Sequence, residues 1–274
     1  RDTLRTLLRR SLSWSGHGVI VALAGSAVLF VVLPLAALVW RSIQEHAWTL
    51  VPEDSVRQAA SLSFTTTLTS MAIILTLGTP LAYILARHNF TGRRFVSILI
   101  QLPIVLPPAV AGLALLITFG RRGLLGPTLD DMNIRIAFSR EAVIMAQVFV
   151  AMPFYVRAAQ VGFRNIHPEV EEAALVDGAT VWGRFLRITL PLSRRALISG
   201  TLLSWARALG EFGATIMFAG NLQGRTQTMP LLIYSVFERD INAAIWTAVV
   251  LVGLAFLVLI VTLLLAREDD TEAV

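Results

Sequence analysis

The sequence predicts an all-α polytopic membrane protein with about six transmembrane helices. Its 274 residues are 55% hydrophobic and only 15% charged, with a mean hydropathy of +0.70, which is too apolar for a soluble domain of this length. Most of the apolar runs also exceed the roughly 20 residues that a helix needs to cross a bilayer. In chain order, the predicted spans lie near 11–40, 58–86, 95–120, 142–159, 196–219 and 241–266.

The first span, assigned to 18–41, follows an Arg-rich leader at 1–17 and is expected to be an addition to the rest of the bundle. The core is assigned to 60–266, and an acidic tail follows at 267–274. The arginines of the leader are expected to lie on the anionic inner surface of the membrane, together with its lipids. The formal charge of +5 therefore calls for no nucleic-acid partner.

The distribution of arginines predicts the orientation of the chain. If the N-terminus is inside, more of the 23 basic residues fall in inner segments than in outer ones. Because inner loops of membrane proteins are enriched in basic residues, both termini are expected in the cytoplasm. The polar segment between the fourth and fifth spans, 167–191, is then cytoplasmic as well.

Prolines interrupt the second, third and fourth spans. Pro80 and Pro153 are most simply interpreted as kinks in structural helices. Pro107 and Pro108, with Pro103 close before them, form a denser cluster. Interrupted helices are costly in lipid unless they face protein or a water-filled path. Pro107 and Pro108 are therefore candidates to line or gate a path, with a kinked structural helix as the alternative.

The polar segment 167–191 predicts two short helices around a turn. Pro168 suits a first helical position, and the glutamates that follow it complement the positive end of a helix dipole. Asp177 and Gly178 predict a helix end, since glycine adopts the left-handed conformation required there. Thr180 is a candidate cap for the second helix, and Pro191 is expected to mark its end. The alternative is an ordinary solvated loop helix.

The fifth span carries charge inside the membrane. Arg207 and Glu211 are four residues apart, so they can meet across one helical turn. A charge inside a span is by default a candidate for a pathway or a buried pair. Three interpretations remain: a structural ion pair, with each other or with a neighbouring helix, direct contact with a passing ion, and a gate. The polar stretch after this span, 220–230, suits an extracellular gate, a docking surface or a solvated loop.

The spacing within 167–191 resembles the cytoplasmic motif of permeases in binding-protein-dependent ABC importers. Glu172-Ala173-Ala174 is followed after three residues by Gly178, and after nine more by Ile188-x-Leu190-Pro191. The resemblance implies a type I ABC importer permease fold and coupling helices that dock into a groove on the ATPase. We call 167–191 the coupling segment. Its candidate ATPase-coupling residues are Glu172, Ala173, Ala174, Asp177, Gly178, Ile188, Leu190 and Pro191.

A second resemblance narrows the substrate class. The runs 207–215, 218–221 and 224–228, with 106–123, are similar to the permease subunit of molybdate importers. Sulfate and thiosulfate permeases share a close version of 210–214, so that block alone marks oxyanion importers. The resemblance implies a translocation path for molybdate or tungstate, with sulfate, thiosulfate or another oxyanion as the alternative. Its candidate path or gate residues are Arg207, Gly210, Glu211, Gly213, Thr215, Asn221, Pro107 and Pro108.

The same resemblance implies the partners. It implies a homodimer of this permease, two copies of an ATPase and an external substrate-binding protein, in the plasma (inner) membrane of a bacterium or archaeon. The sequence contains no Gly-x-x-x-x-Gly-Lys-Ser/Thr motif and no lysine at all. ATP and Mg²⁺ are therefore expected on the partner ATPase, and this chain is expected to bind no cofactor and to have no catalytic site.

Two other classes of protein remain as alternatives. An ion-coupled secondary transporter needs intramembrane carboxylates, and Glu211 is the only clear one. An integral-membrane enzyme needs clustered His, Asp or Glu near the interface, and we find no such cluster in the sequence. The four histidines are widely separated, so no metal site is expected.

Overall fold

The computed structural model describes the backbone of residues 2–271 and the side chains of residues 19–260. All regular elements of that backbone are helical, which confirms the predicted fold class. The side chains of the leader (1–17) and of the tail (267–274) lie outside the described residues, so the membrane-surface role of the leader stays a prediction. The helices are α1 (Asp2–Gln44), α2 (Glu53–Arg87), α3 (Arg93–Val105), α4 (Pro108–Phe119), α5 (Gly126–Asp131), α6 (Arg140–Arg164), α7 (Pro168–Val176), α8 (Val181–Arg184), α9 (Leu190–Leu209), α10 (Gly213–Phe218), α11 (Met229–Phe237) and α12 (Ile241–Thr271).

Within the described residues, four helices have the length and composition to cross a membrane: α2, α6, and the stretches Val19–Gln44 of α1 and Ile241–Ile260 of α12. The α3–α4 pair adds a fifth if it is counted as one broken span, bent by 116° at the proline cluster. The remaining predicted span, the fifth at 196–219, corresponds to α9 and α10. Its long part, α9, carries three arginines within 20 residues, which makes it too charged to be recognised by composition.

The long spans end where charged or capping side chains occur. α2 begins with Glu53 and Asp54 in its first turn and has Arg87 in its last, so each charge complements the helix dipole. α6 begins after Ser139, whose hydroxyl accepts a hydrogen bond from the backbone N–H of Ala142 at 3.3 Å. The apolar residues between these ends form the spans.

The centre of the bundle is the packing of α6 against α2 and α9. Tyr155 of α6 is buried, and its hydroxyl lies 2.6 Å from that of Thr79 in α2. Two buried hydrogen bonds also join these helices: the Ser70 hydroxyl donates to Gln147 at 2.9 Å, and the Ser204 hydroxyl donates to the carbonyl of Ala151 at 2.8 Å. Such interhelical bonds help hold helices together in lipid, where apolar burial alone does not.

Small residues bring α6 and α9 into close contact. A Cβ atom on Gly162 would lie 2.5 Å from the Cβ of Ala196, and one on Gly200 would lie 2.8 Å from that of Ala158. Gly162 and Gly200 therefore allow close packing of the two helices. Pro80 and Pro153 lie inside α2 and α6, and both helices continue through them.

Candidate functional site

The coupling segment forms the helix–turn–helix that its sequence predicts. α7 begins at Pro168, and Gly178 adopts φ +86° directly after the capping residue Asp177. The N–H of Ala179 donates to the carbonyl of Ala174 at 2.9 Å, and that of Gly178 to Leu175 at 3.1 Å. These two hydrogen bonds together form the Schellman motif, which satisfies backbone carbonyls left without a partner at a helix end.

The second helix of the coupling segment begins as predicted but does not end at Pro191. The Thr180 hydroxyl accepts a hydrogen bond from Gly183 N at 3.0 Å and caps α8. After α8, residues Phe185–Thr189 form a π-helical turn, in which Leu190 N donates to the carbonyl of Phe185. Pro191 then lies in the first turn of α9. The predicted end at Pro191 is wrong because the wider π turn rearranges the backbone bonding at this point, so that a residue without an N–H fits a first turn.

A buried carboxylate anchors the coupling segment to the bundle. Glu171 is 6% exposed, and its Oε1 accepts a hydrogen bond from the Thr189 hydroxyl at 2.7 Å. The same oxygen lies 3.4 Å from Nη2 of Arg87, the last residue of α2. That Nη2 also donates to the carbonyl of Ile166 at 2.9 Å. These contacts tie both ends of the coupling segment to the end of a transmembrane helix.

Sequence reasoning missed this anchor. The sequence indicates Glu171 only as one of the glutamates that follow Pro168, and it assigns no role to Arg87. Their pairing spans 84 residues and has no local sequence pattern. A second contact of this kind joins Arg184 Nη2 to the hydroxyl of Tyr83 at 3.2 Å, and the ring of Tyr83 packs edge-on against Phe185.

Apolar side chains are exposed on the surface of the coupling segment, around the turn between α7 and α8. Val176 is 88% exposed and Trp182 72%, and Val181 and Leu186 also face outward. An exposed patch of large apolar residues on a polar segment is typical of a protein–protein interface. Of the candidate coupling residues, Glu172, Ala173, Asp177, Gly178 and Pro191 are exposed, Ala174 is buried, and Ile188 and Leu190 are partly buried.

The fifth span breaks where its charges lie. α9 ends at Leu209, and α10 starts at Gly213 after a short irregular turn that contains Gly210. Nη1 of Arg207 lies 2.6 Å from Oε2 of Glu211, whose side chain is fully buried. The other carboxylate oxygen accepts a hydrogen bond from Ala214 N at 2.7 Å. Glu211 therefore joins the two helices across the break and pairs with Arg207, while contact of either residue with a passing ion and a role in a gate stay predictions.

The broken third span and the broken fifth span meet at two glycines. A Cβ atom on Gly213 would lie 2.7 Å from the Cβ of Pro108, and one on Gly112 would lie 2.5 Å from the carbonyl oxygen of Ala214. α4 and α10 therefore pack with their backbones nearly in contact. Pro107 and Pro108, which begin α4, are exposed beside this contact. The structure thus brings Pro108 and Gly213 together, as two of the candidate path residues.

The side chains of two other candidate path residues, Thr215 and Asn221, take no part in the Arg207–Glu211 ion pair. Thr215 of α10 is fully buried, and its hydroxyl has no hydrogen-bond partner among the described residues. Asn221 donates to the hydroxyl of Ser235 at 2.6 Å and accepts from Gln227 at 3.0 Å. Asn221 therefore stabilises the polar loop after α10, and its role in a gate stays a prediction.

Comparison with known families assigns this architecture. Residues 78–268 match the family model described as binding-protein-dependent transport system inner membrane component. The chain belongs to this family. The match includes the coupling segment, both broken spans and the start of the acidic tail. It makes the chain a membrane-spanning permease subunit of an ABC importer, and it removes the secondary transporter and the membrane enzyme from the alternatives.

Curated relatives of the chain are permeases. It is 42% identical over 242 residues to the molybdenum transport system permease protein ModB of Mycobacterium tuberculosis, which covers 87% of this chain and 90% of that protein. It is 38% identical over 255 residues to the probable transport system permease protein NifC of Clostridium pasteurianum, covering 90% and 88%. The probable sulfate transport system permease protein cysT of Zygnema circumcarinatum is 34% identical over 259 residues, covering 92% and 90%.

Solved structures show the same fold. A bacterial ABC transporter involved in the import of the acidic polysaccharide alginate matches with a TM-score of 0.73 and 17% identity. The match covers 95% of this chain and 96% of that chain. At this identity the likeness establishes the fold, which is that of an ABC importer permease.

Proposed function

We propose that this chain forms the translocation path for molybdate, or for tungstate, in an ATP-driven importer. The observation that carries the proposal is the 42% identity to a molybdenum permease over 87% of the chain, against 34% for a sulfate permease over a similar length. The runs 207–215 and 224–228, which resemble molybdate permeases, also lie at the break of the fifth span and in the loop after it.

The exposed patch of the coupling segment supports an assembly of this chain with ATPase subunits. Two copies of this permease would each present the exposed patch at Val176 and Trp182 to one of two ATPase subunits. ATP and Mg²⁺ would bind to those subunits, and an external binding protein would deliver the anion. In this assembly the coupling segment and both termini would lie in the cytoplasm of a bacterium or archaeon, an orientation that the arginine distribution supports.

The break of the fifth span suits the passage of a divalent anion. Conduction requires binding that is favourable enough for entry and weak enough for exit. The Arg207 guanidinium is 27% exposed, and its charge is balanced by Glu211. The guanidinium can therefore offer N–H donors to a passing oxyanion. It would bind that anion less strongly than an unpaired cation would. ATP-driven closure of the ATPases would draw the coupling segments together and open the path outward.

A sulfate or thiosulfate importer is the second candidate. It is favoured by the 34% identity to a sulfate permease, with 92% of this chain covered. A path built from small residues and a few donors discriminates weakly among tetrahedral oxyanions. The preference of the whole transporter would then come from its binding protein.

The test is uptake of labelled molybdate into proteoliposomes that contain this chain, its ATPase and its binding protein. We expect ATP-dependent uptake that excess tungstate inhibits strongly and that sulfate and phosphate inhibit weakly. Robust uptake of labelled sulfate that excess molybdate leaves unchanged would contradict the molybdate assignment. Uptake without ATP hydrolysis would contradict the importer assignment itself.

A further inference from the structure

A cavity of about 700 Å³ lies between α3 and α6, near the end of the bundle that carries the coupling segment. Among the side chains that the structure describes, its lining includes four arginines, two from the start of α3 and two from the second half of α6, and no carboxylate. The arginines are Arg93, Arg94, Arg157 and Arg164. The cavity therefore concentrates positive charge without an internal counter-charge.

The two helices contribute matching faces. Arg94, Ser97 and Gln101 of α3 lie at i, i+3 and i+7, and so do Arg157, Gln160 and Arg164 of α6. Each set occupies one side of its helix, where residues at this spacing are neighbours. The arginines are thus held on opposing walls along roughly 10 Å of each helix, since seven residues rise by that distance.

Hydrogen bonds fix several of these side chains without consuming their donors. Arg157 donates through Nη1 to Oε1 of Gln101 at 2.6 Å, and Gln101 is itself oriented by donating to the carbonyl of Ser97. Arg93 donates through Nε to the carbonyl of Leu85 at 3.0 Å, and through Nη1 to Asn89. A guanidinium has five N–H donors, so each arginine keeps donors for a ligand.

The remaining arginines are less engaged. Arg164 Nη2 reaches the carbonyl of Leu85 only at 3.5 Å. The Arg94 guanidinium has no hydrogen-bond or ion-pair partner among the described residues, and its side chain is exposed. The polar groups between the arginines, such as the amide of Gln160, add neutral donors to the same space.

We propose that this cavity is a binding site for a tetrahedral oxyanion, either free in water or as the phosphate group of an anionic lipid. Arginine is suited to both, because its planar fork donates two hydrogen bonds at once to an oxyanion. The cavity is many times larger than the roughly 30 Å³ share of one water molecule, so a partly hydrated anion or a lipid headgroup fits. The inference does not depend on which oxyanion the transporter carries.

The site has a reason to occur in this part of the fold. Arg157 lies two helical turns before the end of α6, so its charge sits inside a predicted span. Arg157 is exposed on the surface of the bundle, so beside lipid its charge needs a counter-charge, and no carboxylate among the described residues lines the cavity. A bound oxyanion would supply that charge, next to the point where Arg87 and Glu171 anchor the coupling segment.

The test uses the assembled permease–ATPase complex without its binding protein and without ATP. In one arm, delipidated complex in neutral detergent is dialysed against labelled inorganic phosphate or tungstate. In the other arm, the complex is placed in phosphatidylcholine nanodiscs that contain some phosphatidylglycerol, and the retained lipid is identified by native mass spectrometry. The variants are Arg94→Gln, which loses no internal contact, Arg157→Gln and Arg157→Lys.

The control is Arg57→Gln, which removes an exposed arginine paired with Asp54 at the opposite end of α2. We expect wild type and Arg57→Gln to behave alike, and both glutamine variants to bind at least tenfold more weakly in one arm. Arg157→Lys should keep part of the binding because it keeps the charge. Weaker binding by the glutamine variants in the first arm identifies the ligand as a free anion, and weaker binding in the second arm identifies it as a lipid phosphate. The proposal is overturned if wild type retains neither ligand, or if Arg94→Gln retains as much as wild type in both arms.

Discussion

The Thr189 hydroxyl donates a hydrogen bond of 2.7 Å to the carboxylate of Glu171, 18 residues earlier in the chain, and this bond holds the two ends of the coupling segment together. The bond joins the first turn of α7 to the π-helical turn that precedes α9. Because Arg87 contacts the same carboxylate oxygen, the coupling segment is also fastened to α2. The position of the exposed patch relative to the spans therefore depends on two polar contacts that are almost completely shielded from water.

Thr189→Val should loosen the coupling segment while leaving the bundle folded. Valine matches threonine in shape but lacks the donor, and a hydrogen bond to a charged group contributes roughly 1.5–3 kcal/mol. We expect faster hydrogen exchange in 168–190 and weaker transport-linked stimulation of the ATPase. Thr201→Val is the control, because among the described residues the Thr201 hydroxyl donates only within its own helix, to the carbonyl of Leu197. Equal exchange in the two variants would contradict the anchoring role of Thr189.

Gly178→Leu should uncouple ATP hydrolysis from transport. An L-residue in the left-handed conformation costs about 1–2 kcal/mol, so the turn between α7 and α8 would shift to relieve it. No atom lies within 4 Å of a Cβ at this position, so the backbone angle alone is responsible. Gly178→Asn is the matched variant, because asparagine tolerates this angle and should retain coupling. Normal ATPase stimulation and transport in Gly178→Leu would refute the prediction.

Arg207→Met should destabilise the protein more than Arg207→Met combined with Glu211→Gln. The single change leaves a fully buried carboxylate without its cation, which costs about 3–5 kcal/mol. The double variant removes both charges, and the glutamine Oε1 can still accept the hydrogen bond from Ala214. Thermal unfolding in detergent measures the order. A double variant that is stable but inactive would assign Arg207 a direct role in the path.

Gly112→Ala should force α4 and α10 apart. The added Cβ would lie 2.5 Å from a backbone oxygen and 2.8 Å from Met217, and overpacking of this kind costs roughly 1–3 kcal/mol. We expect a lower unfolding temperature and reduced transport. Gly253→Ala in α12 is the control, since nothing lies within 4 Å of its Cβ and alanine favours the helix by up to about 1 kcal/mol. A Gly112→Ala protein as stable as wild type would show that this contact yields easily.

Local features of the site were predictable from the sequence because they depend on neighbouring residues. The left-handed turn at Gly178, the cap at Thr180 and the pair Arg207–Glu211 each involve residues no more than four apart. The break after Pro107 followed from the proline cluster in the same way. The predicted helix end at Pro191 was wrong, because the π turn is a deviation that no residue pattern announces.

Contacts between segments that are distant in the chain could not be predicted from the sequence. Arg87 meets Glu171 only after α2, α6 and α9 have packed, and a single sequence contains no information on which arginine pairs with which carboxylate. The close approach of Gly112 to α10 is of the same kind. The number of spans was also hard to judge from composition, because α9 combines a buried position with three arginines.

The helical backbone runs without a break from Val181 to Leu209, since the π turn joins α8 directly to α9. At 1.5 Å per residue this rod is roughly 40 Å long, more than the hydrocarbon thickness of a bilayer. One end carries Trp182 and the other ends at the broken turn beside Arg207. A displacement imposed at Trp182 can therefore be transmitted to the middle of the permease along one continuous helix, which ends at the irregular turn that contains Gly210 and precedes α10.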